Sequence, residues 1–198
     1  MSSTSPALRL GYVIGATPDK WARAWRERRP EPLILVPLEE HEQADAVTGG
    51  EVDMAIARLP LDSPADLHRL PLYEEEVVAM GAKEGLLGIV EHEVALADLA
   101  DEQLVMPHRS GWTPTADQLP WPPMGYRDAV ETVAAGTGIV LLPASVARLL
   151  QRRDVVTRRV PELDPTAVAL VWRRDRDGED CQAFVGIVRG RTARSSRG

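Results

Sequence analysis

The sequence predicts an α/β chain built of two units. From Leu8 to Ala57, short apolar runs alternate with helix-like segments in the order β-α-β-α-β. After Leu67 that rhythm changes, and a second α/β series begins near Val94. A final strand-like run, Ala167–Trp172, and a helix over Asp180–Gly190 follow only after that series is complete. The chain therefore returns late to its first unit.

Each element has a local reason. Leu8–Ile14 ("LRLGYVI") mixes apolar and β-branched residues and reads as a strand. Pro18–Arg29 follows as a helix, with Trp21 and Trp25 four apart on one face, and Pro30 and Pro32 stop it. Leu33–Pro37 is the next strand. "EEHEQADAVTGG" reads as a short helix closed by Gly49 and Gly50, and Val52–Ala57 as a third strand. Connections this short imply parallel strands joined by right-handed crossovers. Leu67–Tyr73 and Val77–Ala82 read as strands with little helix between them, Leu96–Ala100 as a short helix, and Gln103–Met106 as a strand. A proline-rich loop over 107–125 holds Trp112 and Trp121. Tyr126–Ala135 is amphipathic, with Ala129, Val130 and Val133 on one side. "GTG" breaks it, "IVLLP" is a buried strand, Ala144–Arg153 is a helix, and Val155–Val160 is a strand.

Composition narrows the function. The 198 residues carry 23 Lys and Arg against 30 Asp and Glu, a net charge of −7. Four of those arginines (Arg189, Arg191, Arg194 and Arg197) lie in the last eleven residues, which contain no acid. Without them, 19 basic residues face 30 acidic ones. A body this acidic repels phosphate polymers, so no nucleic-acid binding by this chain is expected. The single cysteine, Cys181, cannot form an internal disulfide and fits a reducing compartment. "MSSTSPALRL" has no apolar core preceded by basic residues, and no apolar run reaches the ~20 residues of a membrane span. The expected location is the cytoplasm, with no membrane partner. Residues 191–198 form a basic tail expected to be disordered.

"DAVETVAAGTGIVLLPASVA" (Asp128–Ala147) resembles the helix-Gly-x-Gly-strand-Pro segment of the effector-binding domain of LysR-type transcriptional regulators. Other pieces match in order: "LRLGYVIG" at the opening strand, "GGEVDMAIARLP" at a Gly-x-x-Asp-apolar pattern, "LYEEEVVAMGAKE" at the first crossing segment, and "VALADLADEQLVMP" at the entry to the second subdomain. The resemblance spans residues 8–188. It implies a two-subdomain periplasmic-binding-protein type II-like fold with a double crossover hinge. Subdomain I is then 7–80 plus 166–190, and subdomain II is 81–165. It also implies a small-molecule effector in the cleft between subdomains, and self-association as a homodimer or with a partner regulator of the family. The family's helix-turn-helix has no counterpart in this chain. The stretch from Met106 to Asp128 is also shorter than the family's usual strand and helix there.

Candidate site residues fall at the carboxyl ends of the strands, where ligands bind in such folds. Gly15, Ala16 and Thr17 precede a helix start in which Pro18 and Asp19 suit the first turn. Thr17 either caps that helix or helps its amides hold an anionic group such as a carboxylate. Glu39, Glu40 and His41 open the second helix, either as a solvated start or as acceptors for a ligand's amine or hydroxyl. Arg58 is either a surface ion pair or a carboxylate clamp. His108 and Arg109 occupy the corresponding position in the second unit, with Trp112 as a stacking face. Gly136 and Gly138 read as cap and turn residues, with Gly138 also a candidate for backbone contact to an effector.

Catalytic patterns are poor. The sequence holds no G-x-S-x-G elbow and no phosphate-binding glycine loop, and its four histidines show no i, i+4 pair. The expectation is a sensor module with no catalytic residues, no metal and no cofactor. The alternatives are a protein-interaction partner with a vestigial cleft and, behind it, a solute-binding protein.

Overall fold

The computed structural model describes residues 7–61 and 66–190. The basic tail over 191–198 lies outside the described residues. The chain divides into two compact units: Met1–Tyr73 with Ala167–Gly198, and Glu74–Thr166. The first crossing therefore falls at Tyr73–Glu74, whereas the sequence placed it at 80/81, inside a strand that belongs to the second unit's sheet.

In the first unit the elements are β1 (Leu8–Val13), α1 (Asp19–Arg28), β2 (Leu33–Leu38), α2 (Gln43–Thr48), β3 (Met54–Arg58), β4 (Leu67–Glu75) and, after the return, β8 (Thr166–Arg173) and α6 (Glu179–Val188). Their sheet has the order β2-β1-β3-β8-β4. β1 is parallel to both β2 and β3, as the short β-α-β connections required, and β8 runs antiparallel to β3. Both faces are covered, which explains why β3 and β8 are almost wholly apolar. Met54 and Ile56 of β3, with Val168, Leu170 and Trp172 of β8, face the core that holds Trp21, Trp25 and Phe184. Ala55, Ala57, Ala169 and Val171 face the other way, onto Ala46 and Val47 of α2. Trp25 is fully buried, stacks at a tilt on Phe184 with ring centroids 5.9 Å apart, and donates its indole N–H to Glu31 O at 2.7 Å.

The second unit holds β5 (Val77–Ala82), α3 (Leu86–Ile89), α4 (Tyr126–Ala134), β6 (Ile139–Pro143), α5 (Ala144–Leu149) and β7 (Val155–Arg159). Its sheet, in the order β6-β5-β7, is antiparallel throughout. Three expectations need correction here. Leu96–Ala100 forms successive i, i+3 turns instead of a helix. α5 ends at Leu149, short of Arg153. The expected strand at Gln103–Met106 reduces to a parallel bridge between Leu104 and Ile139.

A pair of glutamines accounts for that last change. Leu104 N–H donates to Gln118 Oε1 at 2.7 Å, and Leu119 N–H donates to Gln103 Oε1 at 2.8 Å. In return, Gln103 Nε2 donates to Asp117 O and Gln118 Nε2 to Glu102 O. Two side-chain amides thus supply the peptide-like pairing that a neighbouring strand would give. Gly138 closes the same corner. At φ +69°, an added Cβ would lie 2.1 Å from Gln103 O, so no larger residue fits without displacing backbone.

The amino ends of β1 and β3 are tied by Asp53, a residue only 8% exposed. It accepts Arg9 backbone N–H at 2.8 Å and the Nε and Nη2 donors of the Arg9 guanidinium at 3.2 and 3.1 Å. Arg176, in the 3-10 turn Arg174–Arg176 before α6, donates to it at 3.0 Å and grips Asp180 at 2.9 and 2.6 Å. Burial alone would raise the Asp53 pKa, but the hydrogen bonds from Arg9 and Arg176 outweigh it and hold the carboxyl below its ordinary value. Asp180 is lowered as well, chiefly by its Arg176 hydrogen bond.

Carboxyls with depressed native pKa values stabilise the fold above the unfolded value of about 3.9, and that contribution is lost as pH falls through the native values. Urea denaturation from pH 7 to pH 3 is expected to show wild-type stability falling below about pH 4. Asp53→Asn should cost about 2 kcal/mol at pH 7 and flatten that acid-side fall.

Candidate functional site

Because β2, β1 and β3 are parallel neighbours, the loops after all three strands emerge at one edge of the first unit's sheet. The β1 loop holds Gly15, Ala16 and Thr17. Gly15 has φ +87°, a conformation that favours glycine, and it lets Ala16 N–H turn back onto Val13 O at 2.9 Å. Pro18, not Thr17, occupies the N-cap of α1, and no side chain caps the helix. Proline's fixed backbone sets the first turn, leaving Thr17 exposed. The first helical bonds run from Trp21 and Ala22 N–H to Pro18 O.

The β2 loop corrects a second expectation. α2 begins at Gln43 with Glu42 at its N-cap, so Glu39, Glu40 and His41 lie in a turn before the helix. Glu42 explains the delay: its side chain accepts Glu39 N–H at 3.1 Å, and its own N–H donates to Glu39 O, closing the turn locally. His41 points to solvent, and Glu40 is half-buried.

Arg58 ends β3 and is 0% exposed, which corrects the surface-ion-pair alternative. Its guanidinium meets Glu40 Oε2 at 3.5 Å. Its backbone N–H donates to Gln43 Oε1 at 2.9 Å, and its carbonyl accepts from Gln43 Nε2 at 3.0 Å. The structure therefore joins Glu40 and Arg58 directly and adds Gln43, which the sequence reading passed over. The available signal was its position, three residues after Glu40 on the buried face of a helix start.

His108, Arg109 and Gly138 lie in the second unit. His108 Nδ1 lies 3.3 Å from Ser110 N and 2.9 Å from Ser110 Oγ, so the ring is held within its own turn. Arg109 is exposed in the same turn, and Trp112 packs on the unit's core. Gly138 serves the close approach to Gln103 described above. Cys181 is fully buried, and burial, the largest influence, pushes its thiol up to about 11. Among the described residues, no group of three His, Cys, Asp or Glu side chains is placed to hold a metal ion. No helix there is long and apolar enough to cross a membrane.

The family model for the LysR substrate binding domain matches residues 4–193. The chain belongs to this family. A relative, the HTH-type transcriptional regulator CatR of Pseudomonas putida, is 28% identical over 171 residues. The match covers 78% of this chain and 57% of CatR, so the chain spans little more than half the length of that curated relative. The effector-binding domain of BenM, solved with its effector benzoate, superposes with a TM-score of 0.72 at 21% identity, covering 96% of both chains. Full-length CbnR complexed with its target DNA gives 0.68 at 18% identity, covering 93% of this chain and 70% of CbnR. The fold is that of the LysR effector-binding domains, which is periplasmic-binding-protein type II-like.

In this LysR domain, the Glu40–Arg58 pair is an ion pair whose arginine has no access to water. Glu40→Gln leaves that charge less compensated and should cost about 1–3 kcal/mol in urea denaturation. Adding Arg58→Met should recover part of the loss, so the double-mutant cycle is non-additive.

Proposed function

We propose that the chain is the effector-binding sensor domain of a LysR-type transcriptional regulator, a cytoplasmic and non-catalytic module that takes a carboxylate-bearing metabolite. The observation that carries this reading is the convergence of the three loops at the carboxyl edge of β2, β1 and β3. The exposed α1 start after Thr17 offers amide donors with partial positive charge to a carboxylate. Glu40 and His41 present hydrogen-bonding groups from the adjoining loop, with Arg58 beneath them. The effector acts by binding one conformation of the regulator better than another.

A second reading, association with another copy or with a full-length regulator, is favoured by the edge strand β2, where Ile34 is 47% exposed. Ile34→Glu should then lower the apparent mass by sedimentation, and an unchanged mass would remove that edge from the interface.

Calorimetric titration with benzoate, salicylate, succinate and adipate tests the sensor reading. At least one carboxylate should bind, and Thr17→Asp should weaken it on the order of tenfold by placing a like charge at the α1 start. Equal affinities would take that helix start out of the site. No binding by any of the four would count against a carboxylate effector.

A further inference from the structure

The structure assigns a role to Gln43, and we propose that it is a positioning residue of the carboxyl-edge site, locking the Glu39–Glu42 turn onto the end of β3. This rests on the reading of that edge as the effector site.

The ladder between β1 and β3 ends at Tyr12 and Ile56, while β1 runs on beside β2 to Val13 before the chain turns at Gly15. β3 runs on to Arg58, with β8 still beside it through Val168. Beyond Ile56, the side of β3 that faced β1 has lost its strand partner. Buried peptide groups without partners are costly, and Arg58 is wholly buried. Gln43 supplies what is missing. Its planar amide carries an acceptor and a donor side by side, and they meet the N–H and C=O of this one residue at 2.9 and 3.0 Å. Gln43 is itself only 4% exposed, so the clamp is shielded from competing water.

The same residue of β3 is gripped twice from one short segment. Gln43 holds the Arg58 peptide groups, and Glu40, three positions earlier, holds its guanidinium. Between these two anchors lie His41 and Glu42. The turn thus has fixed ends, in the crevice where adjacent parallel strands part and where ligands of open α/β sheets bind. A preorganised turn does not pay its ordering cost when ligand arrives. Gln43 therefore acts through the turn and needs no contact with the effector.

Two measurements on the whole chain test this. In the first, amide hydrogen exchange of the free protein compares wild type, Gln43→Met and Gln43→Glu. Met is close in size but cannot form either bond, whereas Glu keeps an acceptor for Arg58 N–H. Exchange at Arg58 and over 39–42 should rise by about tenfold or more in Gln43→Met. Gln43→Glu should restore part of the Arg58 protection, while Leu10 stays unchanged in both variants. An unchanged Arg58 amide, or a uniform rise across the unit, would overturn the proposal. In the second, the tightest of the four carboxylates is titrated into Gln43→Met, Glu40→Gln and the double variant. Affinity should fall about tenfold for Gln43→Met, with the two changes non-additive. Unchanged affinity or simple additivity would overturn it. If wild type binds none of the four, the carboxylate reading fails by itself, and the exchange result still decides whether Gln43 holds the turn.

Discussion

Asp53 is the point through which three distant stretches of chain are registered. Its carboxylate fixes Arg9 at the start of β1, lies at the start of β3, and takes Arg176 from the turn that leads into α6. A carboxyl this buried would be unfavourable alone, and two guanidinium groups with a backbone N–H make it favourable. Arg176 extends the hold to Asp180 in the first turn of α6, which sets where Phe184 enters the core against Trp25. From this pinned end the β1–β3 ladder runs to Tyr12 and Ile56, and beyond it lies the edge where the candidate residues of the first unit gather.

The first unit was largely legible because its elements obey strong local rules. The parallel order of β1, β2 and β3 followed from short β-α-β spacing, and the late return of β8 from a strand that arrives after a complete second series. What the sequence misplaced depended on side chains that replace backbone. Glu42 closes a turn on Glu39, so α2 starts later than its acidic residues implied. Gln103 and Gln118 pair with main chain across a loop, and a segment with good strand propensity stays a single bridge. Such pairings have no periodicity, and no pattern of apolar spacing announces them. Arg58 shows the same limit: its type suggested a charged surface group, and only the packed structure buries it beside Glu40.

The site follows the same division. Loops at strand ends could be named from element order, and the structure brings Gly15–Thr17, Glu40 and Arg58 to one edge. Gly138 is different. Its positive φ and the nearness of Gln103 O account for it through packing alone, so the glycine pair that carried much of the family resemblance speaks first to how the second unit holds together.

The antiparallel pairing of β3 with β8 has a consequence for synthesis. The ribosome releases β3 more than a hundred residues before Val168 and its neighbours, so the first unit cannot close while its own amino-terminal part is emerging. The second unit is continuous and can fold as soon as it is out. Until the last stretch is translated, Ala55 and Ile56 have no partner on that side. A nascent chain that has emerged from the ribosome only through Thr166 would therefore carry a finished inner unit and an open, apolar strand edge, the form that chaperones and proteases recognise.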